Sequence, residues 1–501
     1  MPRPLMIQGT SSHAGKSVLA AAFGRWLRDR GIDVAPFKAQ NMSNNSYVTL
    51  AGEEIARSQA TQAAALGLEP TADMNPVLLK PLDRGCQVVV QGRGVGVMSI
   101  QEYYAYKPHA WQAITESYAR LAKAHAMIVL EGAGSPAEIN LKDHDLVNMR
   151  MAEHADAAVV LVADIERGGV FAQLIGTWEL LEPAERARIA GFVINKFRGD
   201  AKLLDSGLEY VKQRTGKPVL GVLPYESAVQ LDEEDTLGLE WSGGTAEIDV
   251  AVLRLPGISN FTDLAPLGRC PGVAVRLVSE PGQLHRPDLV ILPGTRTTVR
   301  ALDWLRSTGL ADAVLRLASA ADGPFILGLC GGCQMLGQTV NDPAGVESDV
   351  PRSEGLGLLD IDTDFDSGKT LYRVEAEVLE GLCHGCPVIG YEVHQGASRR
   401  RPGADPWLRL RRHDGQVVED GAVGRGGRVC GTYVHGLFDD ARFCRCLIDT
   451  LRRKRGLAVL ADTEWLSQRD FWARRYAQLS GWLAEHCDLR SVATALGLPG
   501  S

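Results

Sequence analysis

Short apolar segments alternate with longer stretches of helical periodicity along most of the chain. Before residue 226 the apolar segments include LMIQG, MIVLEG, AAVVLVAD, GFVINK and PVLGVLPY. They are rich in Val, Ile and Leu and show no alternation of polar and apolar positions, which is the pattern of strands buried on both faces. The first part of the chain is therefore predicted to form a parallel sheet covered by helices, an α/β fold.

A second series of apolar segments begins near residue 248 with IDVAVLRL, VAVRLV, DLVILPG and PFILGLC. The stretch between the two series, which contains LDEEDTLGLEWSGG, is acidic and Gly-rich, as linkers often are. Beyond about residue 440, Arg and Trp recur at helical spacing without a strand signal. We predict a domain at 1–225, a linker at 226–247, a second α/β domain at 248–440, and a helical segment at 441–501 that packs on the second domain.

Composition narrows the class of protein. The chain has 501 residues, 45% of them hydrophobic and 23% charged, and no apolar run approaches the ~20 residues of a bilayer span. The N-terminus lacks the pattern of a secretory signal, so we expect a cytoplasmic protein whose ten cysteines are reduced. The net charge of -8 and the scattered basic residues disfavour nucleic-acid binding. Small-molecule chemistry is favoured, and a homo-oligomer stays open.

The segment GTSSHAGKS follows the first strand and precedes a helical stretch, and it resembles a Walker A loop. Backbone N–H groups around Gly9, Thr10 and Gly15 would cradle the phosphates of ATP. Lys16 would reach the outer phosphates, and the Ser17 hydroxyl would ligate Mg²⁺. The first glycine lies six residues before Gly15 rather than five, as in dethiobiotin-synthetase-like ATPases. The alternative is an ordinary Gly-containing turn before a helix.

Acidic side chains end two further predicted strands: Glu131 in VLEGAGS and Asp164 in LVADIERGG. Ligands of open α/β sheets bind at the carboxyl ends of strands, so either carboxylate could hold Mg²⁺ or its waters. The alternative for each is a capping carboxylate in a turn. Asn195 ends the segment GFVINKF, where related folds contact the nucleotide base.

The segment ILGLCGGCQML is a buried strand followed by a Gly-x-Cys-x-Gly turn and a helix start, the thiol counterpart of a nucleophile elbow. Cys330 would project from this turn as the nucleophile, with the N–H of Gly331 aimed at an oxyanion. The helix N-terminus would favour the thiolate. Alternatives are a small buried cysteine, or a four-cysteine zinc site formed by the Cys330–Cys333 and Cys383–Cys386 pairs.

A base for this thiol is available in GTYVHGLF, where His435 lies at a predicted strand end. The order Cys then His within one domain suits a class I glutamine amidotransferase domain at 248–440, after a P-loop, dethiobiotin-synthetase-like domain at 1–225. Gly294 in ILPGT could supply a second oxyanion N–H. Triad amidotransferases carry a Glu two residues after the His, where this chain has Leu437, so the third member is missing or comes from elsewhere. His394 in GYEVHQG is interpreted as structural or as a substrate contact.

Taken together, these segments resemble the cobyric acid synthase family, the cobalamin-pathway amidotransferases, from residue 5 to about 440. The resemblance is carried by MIQGTSSHAGKS, APFKAQNMSNNS, DMNPVLLKP, EGAGSPAEINL, ADIERGGVFAQL, INKFRGD, GKPVLGVLPY, PGISNFTD, ILPGT, GLCGGCQMLG, GYEVHQG and GTYVHGLFD. It implies amidation of the b, d, e and g carboxylates of adenosylcobyrinic acid a,c-diamide, with ATP and L-glutamine as co-substrates. The family also lacks the triad Glu, in agreement with Leu437.

Further contacts with substrate or phosphate are expected within these segments, and their candidates are Lys38, Asn41, Asp73, Asn75, Lys80 and Asp164. Two departures from the family pattern are Cys333, where an apolar residue is usual, and ILPGTRTT, where a Ser or Lys is common. Neither departure removes a predicted catalytic group.

Three other functions are weighed. An a,c-diamide synthase has the same two modules, but DMNPVLLKP and EGAGSPAEINL favour the first assignment. A CTP-synthase-like ligase retains the Glu after its His, and Leu437 disfavours it. A nucleotide-switch protein with an inactive amidotransferase domain is disfavoured because both Cys330 and His435 are intact.

Overall fold

A computed structural model describes residues 2–82, 85–226, 229, 231, 246–461 and 467–499. The chain divides into two compact units. The first comprises Met1–Ser43, Glu53–Asp232 and Trp472–Ser501, and the second comprises Asn44–Gly52 and Glu233–Phe471.

The elements before residue 227 alternate between strands and helices for much of their length. The strands are β1 (Leu5–Gly9), β2 (Val34–Phe37), β3 (Gln40–Met42), β4 (Ser46–Val48), β5 (Glu54–Ala56), β6 (Val77–Leu82), β7 (Gly85–Val90), β8 (Arg93–Met98), β9 (Met127–Glu131), β10 (Ala158–Asp164), β11 (Ile189–Phe197) and β12 (Val219–Pro224). The helices are α1 (Lys16–Asp29), α2 (Arg57–Ala65), α3 (Ile100–Ala124), α4 (Met149–His154), α5 (Val170–Leu180), α6 (Pro183–Arg188) and α7 (Asp205–Thr215).

The first unit is built on a six-stranded parallel sheet with the order β12-β11-β10-β1-β9-β2. Neighbouring residues of β1 pack into different apolar clusters, Met6 on one face of the sheet and Ile7 on the other. A strand buried on both faces needs apolar residues at every position, so the prediction of a covered parallel sheet is confirmed. The central strand β1 has β9 and β10 as neighbours, which brings three strand ends to one edge.

The same unit contains a four-stranded sheet, β3-β6-β7-β8, that the sequence analysis did not predict. Strands β6, β7 and β8 are antiparallel, and β3 joins β6 in parallel. The long helix α3 follows β8 and begins with a capping box, in which Ser99 and Glu102 satisfy each other's backbone N–H groups.

The second half of the chain starts with the same alternation and then becomes rich in strands. Its strands are β13 (Ile248–Leu253), β14 (Val273–Val278), β15 (Leu289–Leu292), β16 (Phe325–Leu329), β17 (Thr339–Asn341), β18 (Arg352–Glu354), β19 (Ile361–Val378), β20 (Pro387–Arg400), β21 (Leu408–Arg412), β22 (Val417–Asp420), β23 (Ala422–Gly424), β24 (Val429–Thr432) and β25 (Val434–His435). Its helices are α8 (Ala265–Gly268), α9 (Thr298–Ser307), α10 (Leu310–Ser319), α11 (Gly331–Leu336), α12 (Ala441–Lys454), α13 (Gln468–His486) and α14 (Leu489–Leu496).

The second unit contains two larger sheets. The first has the order β14-β13-β15-β16-β24-β23 and is parallel except for β23 at its edge. The second is seven-stranded and largely antiparallel, with β18-β17-β19-β20-β25 as its main path. Strand β16 leads into the cysteine turn, and the short strand β25 presents His435 opposite Tyr391 of β20.

The end of the chain is divided between the units, which differs from the expectation that all of 441–501 packs on the second domain. Helix α12 belongs to the second unit, whereas Trp472–Ser501 belongs to the first. There, Leu483 and Leu496 join the apolar cluster that contains Leu27 of α1. An amphipathic pattern predicts that a helix buries one face, but it does not identify the surface that covers it.

Most of the predicted linker at 226–247 lies outside the described residues. In the part of the chain that the structure does describe, no helix combines the length and apolar character that crossing a bilayer requires.

Candidate active sites

The loop between β1 and α1 has the geometry expected of a phosphate-binding loop. Gly15 caps α1 with φ of 100°, in the left-handed region that favours glycine. A Cβ at this position would lie 2.0 Å from Nδ2 of Asn195. That amide donates to the carbonyl of Ala14 at 3.0 Å. The sequence candidates Gly15 and Asn195 are therefore in contact, although they lie on separate segments of the chain.

The ammonium group of Lys16 lies over this loop. Its Nζ donates to the carbonyl oxygens of Ser11 at 2.9 Å and Gly134 at 3.2 Å. A Cβ on Gly9 would lie 3.1 Å from the same nitrogen, so the absence of a side chain at Gly9 gives the ammonium its place. Thr10 belongs to the same turn, and its hydroxyl donates to Oε1 of Gln173 at 3.1 Å.

Glu131, at the end of β9, is the centre of a buried polar cluster next to the loop. Its Oε1 accepts from the Ser17 hydroxyl at 2.8 Å and pairs with Nζ of Lys38 at 3.0 Å. The side-chain amide of Gln62 donates to its other oxygen. The buried carboxylate is tolerated here because a cation and two further hydrogen-bond donors compensate for the hydration that it has lost. Hydroxyl and carboxylate oxygens are ligands that Mg²⁺ prefers, so Ser17 and Glu131 fit this ion.

Gln62 was missed by the sequence analysis. It lies on α2, whose sequence RSQATQAAA resembles an ordinary Ala-rich helix, and no recognisable motif surrounds it. Its burial, which the fold alone decides, is what sets it apart from an ordinary helix-surface Gln.

The other candidates of the first unit have partners of their own. Asp164, at the end of β10, pairs with Lys196 at 3.0 Å. A second acid, Asp73, forms a bidentate pair with Arg120 on α3. The structure therefore brings neither acid into the Glu131 cluster.

The remaining candidates form their contacts within and around the four-stranded sheet. Lys80 forms a buried ion pair with Glu54 at 2.7 Å. Asn75 donates to the carbonyl of Lys38 at 3.2 Å, and Asn41 donates to the Ser58 hydroxyl at 3.0 Å. Lys38 contacts Glu131, and Asn75 supports the backbone of Lys38.

In the second unit, Cys330 occupies the sharp turn between β16 and α11. Its φ of 51° and ψ of -110° are unfavourable for a residue with a side chain, and such strain is characteristic of functional sites. The turn is held because the Cys330 N–H donates to the carbonyl of Thr432 at 2.8 Å. A Cβ on Gly332 would lie 1.9 Å from the carbonyl oxygen of Leu292, so this close approach requires glycine.

His435 lies on β25, buried and paired with Asp263. Its Nδ1 lies 2.5 Å from Oδ2 of Asp263, and the Gly436 N–H donates to the other oxygen of that carboxylate at 3.2 Å. Burial lowers the pKa of His435, but the charge of Asp263 and the hydrogen bonds with Asp263 and Cys330 together raise it to about 10. The imidazole of His435 therefore lies between the carboxylate of Asp263 and the thiol of Cys330 and interacts with both.

Asp263 is the most informative residue that the sequence analysis missed. Its carboxylate contacts His435, the contact that a triad Glu was expected to make, while Leu437 is buried in the apolar core. The carboxylate therefore comes from elsewhere, one of the two alternatives left open above. Its signal was present in PGISNFTD, a segment without a generic explanation that ends in this aspartate.

The two candidate oxyanion glycines border the same site. A Cβ on Gly294 would lie 3.4 Å from Cε1 of His435, and a Cβ on Gly331 would lie 2.8 Å from Cγ2 of Thr295. Their backbones thus approach the cysteine turn from two directions, through the segment after β15 and through the start of α11.

His394 and Cys333 lie in different surroundings. The ring of His394 stacks on Tyr433 with centroids 3.8 Å apart, and its Nε2 lies 3.6 Å from Glu392. Cys333 is fully buried, and burial raises the pKa of its thiol well above the usual value. Among the described residues, no group of three or more His, Cys, Asp or Glu side chains is arranged to hold a metal ion.

Comparison with known families assigns a domain to each half of the chain. Residues 5–237 match the CobQ/CobB/MinD/ParA nucleotide binding domain, and residues 249–443 match the CobB/CobQ-like glutamine amidotransferase domain. A nucleotide-binding unit and a glutamine amidotransferase unit on one chain define a glutamine-hydrolysing ligase, and the predicted fold class and enzyme class are confirmed.

Full-length relatives identify the family. The chain is 48% identical over 488 residues to a cobyric acid synthase of Sorangium cellulosum, covering 93% of this chain and 94% of that protein. It is 49% identical to one of Nitratidesulfovibrio vulgaris, covering 99% and 98%, and 45% identical to one of Desulforamulus reducens, covering 99% of each chain. The chain therefore belongs to the cobyric acid synthase family, as its motifs predicted.

Proposed function

We propose that this ligase amidates the b, d, e and g carboxylates of adenosylcobyrinic acid a,c-diamide, using ATP and glutamine, to give adenosylcobyric acid. The observation that carries the proposal is that one chain holds both a phosphate-type loop and a Cys330–His435–Asp263 arrangement. The choice of corrinoid rests on the family and on the names of the relatives.

The first unit would activate the carboxylate. A carboxylate does not react with ammonia at a useful rate because its oxygen is a poor leaving group. Transfer of the γ-phosphoryl group of ATP to that oxygen gives an acyl phosphate and ADP, and ammonia then displaces phosphate to form the amide. Lys16 would stabilise the charge on the transferring group. Ser17 and Glu131 would hold Mg²⁺, which supplies further charge neutralisation at the phosphates.

Lys38 would have a supporting role at the same site. It pairs with Glu131, so the carboxylate that would ligate Mg²⁺ is also fixed by a cation on a neighbouring strand end. Loss of that cation would leave a buried carboxylate with one fewer partner, which is costly. Lys38 would therefore orient Glu131, besides any contact that it makes with the substrate.

The second unit would release ammonia from glutamine. The Cys330 thiolate attacks the amide carbon, and the oxyanion that forms is stabilised by N–H groups at Gly331 and in the segment that follows Gly294. His435 donates a proton to the departing ammonia. It then accepts a proton from the water that hydrolyses the thioester, and glutamate leaves. Asp263 keeps the imidazole oriented throughout.

Product analysis tests the proposal. The enzyme is incubated with the a,c-diamide, ATP, Mg²⁺ and glutamine, and products are followed by mass spectrometry. We expect four successive products, each with one more carboxylate converted to a carboxamide, and release of one glutamate per amide. Cobyrinic acid with free a and c carboxylates is the matched control substrate. Amidation of the a and c positions of that substrate, with no turnover of the a,c-diamide, would instead identify an a,c-diamide synthase.

A further inference from the structure

The segment Asn44–Gly52 belongs to the second unit, although the residues before and after it belong to the first. It contains strand β4, and Ser46 and Val48 within it have no exposed surface. The chain therefore contributes a short segment, with a buried strand at its centre, from the neighbourhood of Lys38 and Asn41 in the sequence to the unit that carries Cys330.

The backbone of Ser46 is held on both sides by side chains of the second unit. Its N–H donates to Oδ1 of Asn260 at 2.9 Å. Its carbonyl accepts from the hydroxyl of Tyr391 at 3.1 Å. Each of these two partners is in turn attached to one member of the His435–Asp263 pair.

Asn260 begins the turn that carries Asp263. It has φ of 49°, in the left-handed region, and it precedes the 3-10 helix Phe261–Leu264. Its carbonyl accepts from the N–H of Asp263 at 3.0 Å. The side chain of Asn260 contacts Ser46 while its backbone sets the position of the carboxylate.

Tyr391 forms the support of the imidazole. Its ring stacks on His435 with centroids 5.7 Å apart and an interplanar angle of 23°. Residues of the inserted segment pack on the same tyrosine: the ring of Tyr47 lies 5.1 Å away, and Val48 joins its apolar cluster. Arg373 donates to the Tyr47 hydroxyl at 2.6 Å, which fixes that ring as well.

We propose that residues 44–52 are a positioning segment for glutamine hydrolysis: through Asn260 and Tyr391 they fix the orientation of Asp263 and His435 toward Cys330. The proposal rests on the glutaminase role given above. Ser46 uses both of its backbone polar groups for this purpose, and a buried group left without its partner is costly, so the arrangement resists displacement. Small displacements of a catalytic base reduce rates strongly, which gives such support a measurable effect.

Two variants test the segment without removing a group that touches glutamine. Tyr391→Phe keeps the ring on His435 and removes the hydroxyl that contacts Ser46. Asn260→Gly removes the amide and tolerates the left-handed backbone. Tyr118→Phe is the matched control, because Tyr118 lies on α3 in the first unit, where its ring packs against Phe37. For each of the two test variants we expect kcat for glutamine hydrolysis to fall about tenfold with KM little changed, and ammonia-dependent synthesis to be retained.

The pH profile separates positioning from general damage. The titratable side chains placed against His435 are Asp263, Cys330 and Tyr391. A looser contact with Asp263 lowers the pKa of His435, so the alkaline limb of glutamine hydrolysis should move to lower pH in both variants and stay in place in Tyr118→Phe. The double variant should lose less than the product of the single losses, because both side chains act through Ser46.

The proposal is overturned if both variants keep the wild-type kcat and pH profile, or if they lose ammonia-dependent synthesis to the same extent as glutamine-dependent synthesis. Cys330→Ser is assayed in parallel. Continued glutamine use by that variant would refute the glutaminase role itself. Loss of glutamine use by Cys330→Ser, combined with normal Tyr391→Phe and Asn260→Gly enzymes, would refute the positioning segment alone.

Discussion

The nucleotide loop and the cysteine turn are the same local structure used in two ways. Each joins the end of a parallel strand to the start of a helix, β1 to α1 and β16 to α11. In the first, the positive-φ residue directly before the helix is Gly15, with φ of 100°. In the second, it is Cys330 itself, with φ of 51°. One loop leaves its backbone open to a ligand, whereas the other projects a reactive side chain.

Because of this difference, the two sites take their functional groups from different numbers of chain segments. Phosphates are bound largely by backbone N–H groups and a helix N-terminus, which a single contiguous segment supplies. A thiol nucleophile needs a base and a group that orients the base. His435 and Asp263, which meet at Nδ1 and Oδ2, are 172 residues apart in sequence. The cysteine site is therefore assembled by the tertiary fold, and four substitutions test this contrast.

Cys330→Ser should have the largest effect. We expect glutamine-dependent synthesis to fall roughly ten-thousand-fold, because the hydroxyl is a much weaker nucleophile than the thiolate, while synthesis from added ammonia continues. Glutamate release and amide formation are measured separately. Cys333→Ala is the matched control: this buried cysteine should keep glutamine-dependent activity and lose about 1 kcal/mol of stability. If instead Cys333→Ala lost glutamine use and Cys330→Ser kept it, the assignment of Cys330 as the nucleophile would be wrong.

Lys16→Ala should lower amide formation about a thousand-fold with glutamine and with ammonia alike, because the charge that stabilises the transferring phosphoryl group is lost. Glutamate release, measured in the same preparation, reports whether the second unit is still intact. Synthesis at a rate near wild type would contradict the assignment of the loop.

Asp263→Asn should lower glutamine hydrolysis about a hundredfold and spare ammonia-dependent synthesis. His435 has a pKa raised to about 10, so it keeps its proton below that pH and loses it above. Without the carboxylate charge this pKa falls, and the alkaline limb of the pH profile of kcat/KM should move to lower pH. An unchanged limb would mean that Asp263 does not set the protonation of His435.

Glu131→Gln should reduce synthesis about tenfold by weakening the site for Mg²⁺, and the factor should be similar with glutamine and with ammonia. Titration of the rate with Mg²⁺ should show a higher concentration at half-maximal activity than in the wild type. A selective loss of glutamine use would be inconsistent with the place of Glu131 beside Ser17.

The parts of the fold predicted from sequence are those with a strong local pattern. The apolar runs of β1, β9 and β10 have no alternation because both faces are covered, and they were recognised for that reason. The four-stranded sheet was not recognised. Its strand β8, RGVGVM, is exposed along most of its length and carries two glycines, so it lacks the usual apolar signal of a strand.

The sequence by itself determined both loops, their glycines and the residues Lys16, Ser17, Cys330 and His435, because these lie in contiguous motifs whose spacing follows from backbone geometry. The tertiary structure alone decided that Asp263 contacts His435, that Gln62 joins the Glu131 cluster, and that Asn44–Gly52 packs in the second unit. Each of these depends on contacts between residues far apart in the chain. Such contacts are fixed by packing and burial across the whole fold, and no local spacing records them.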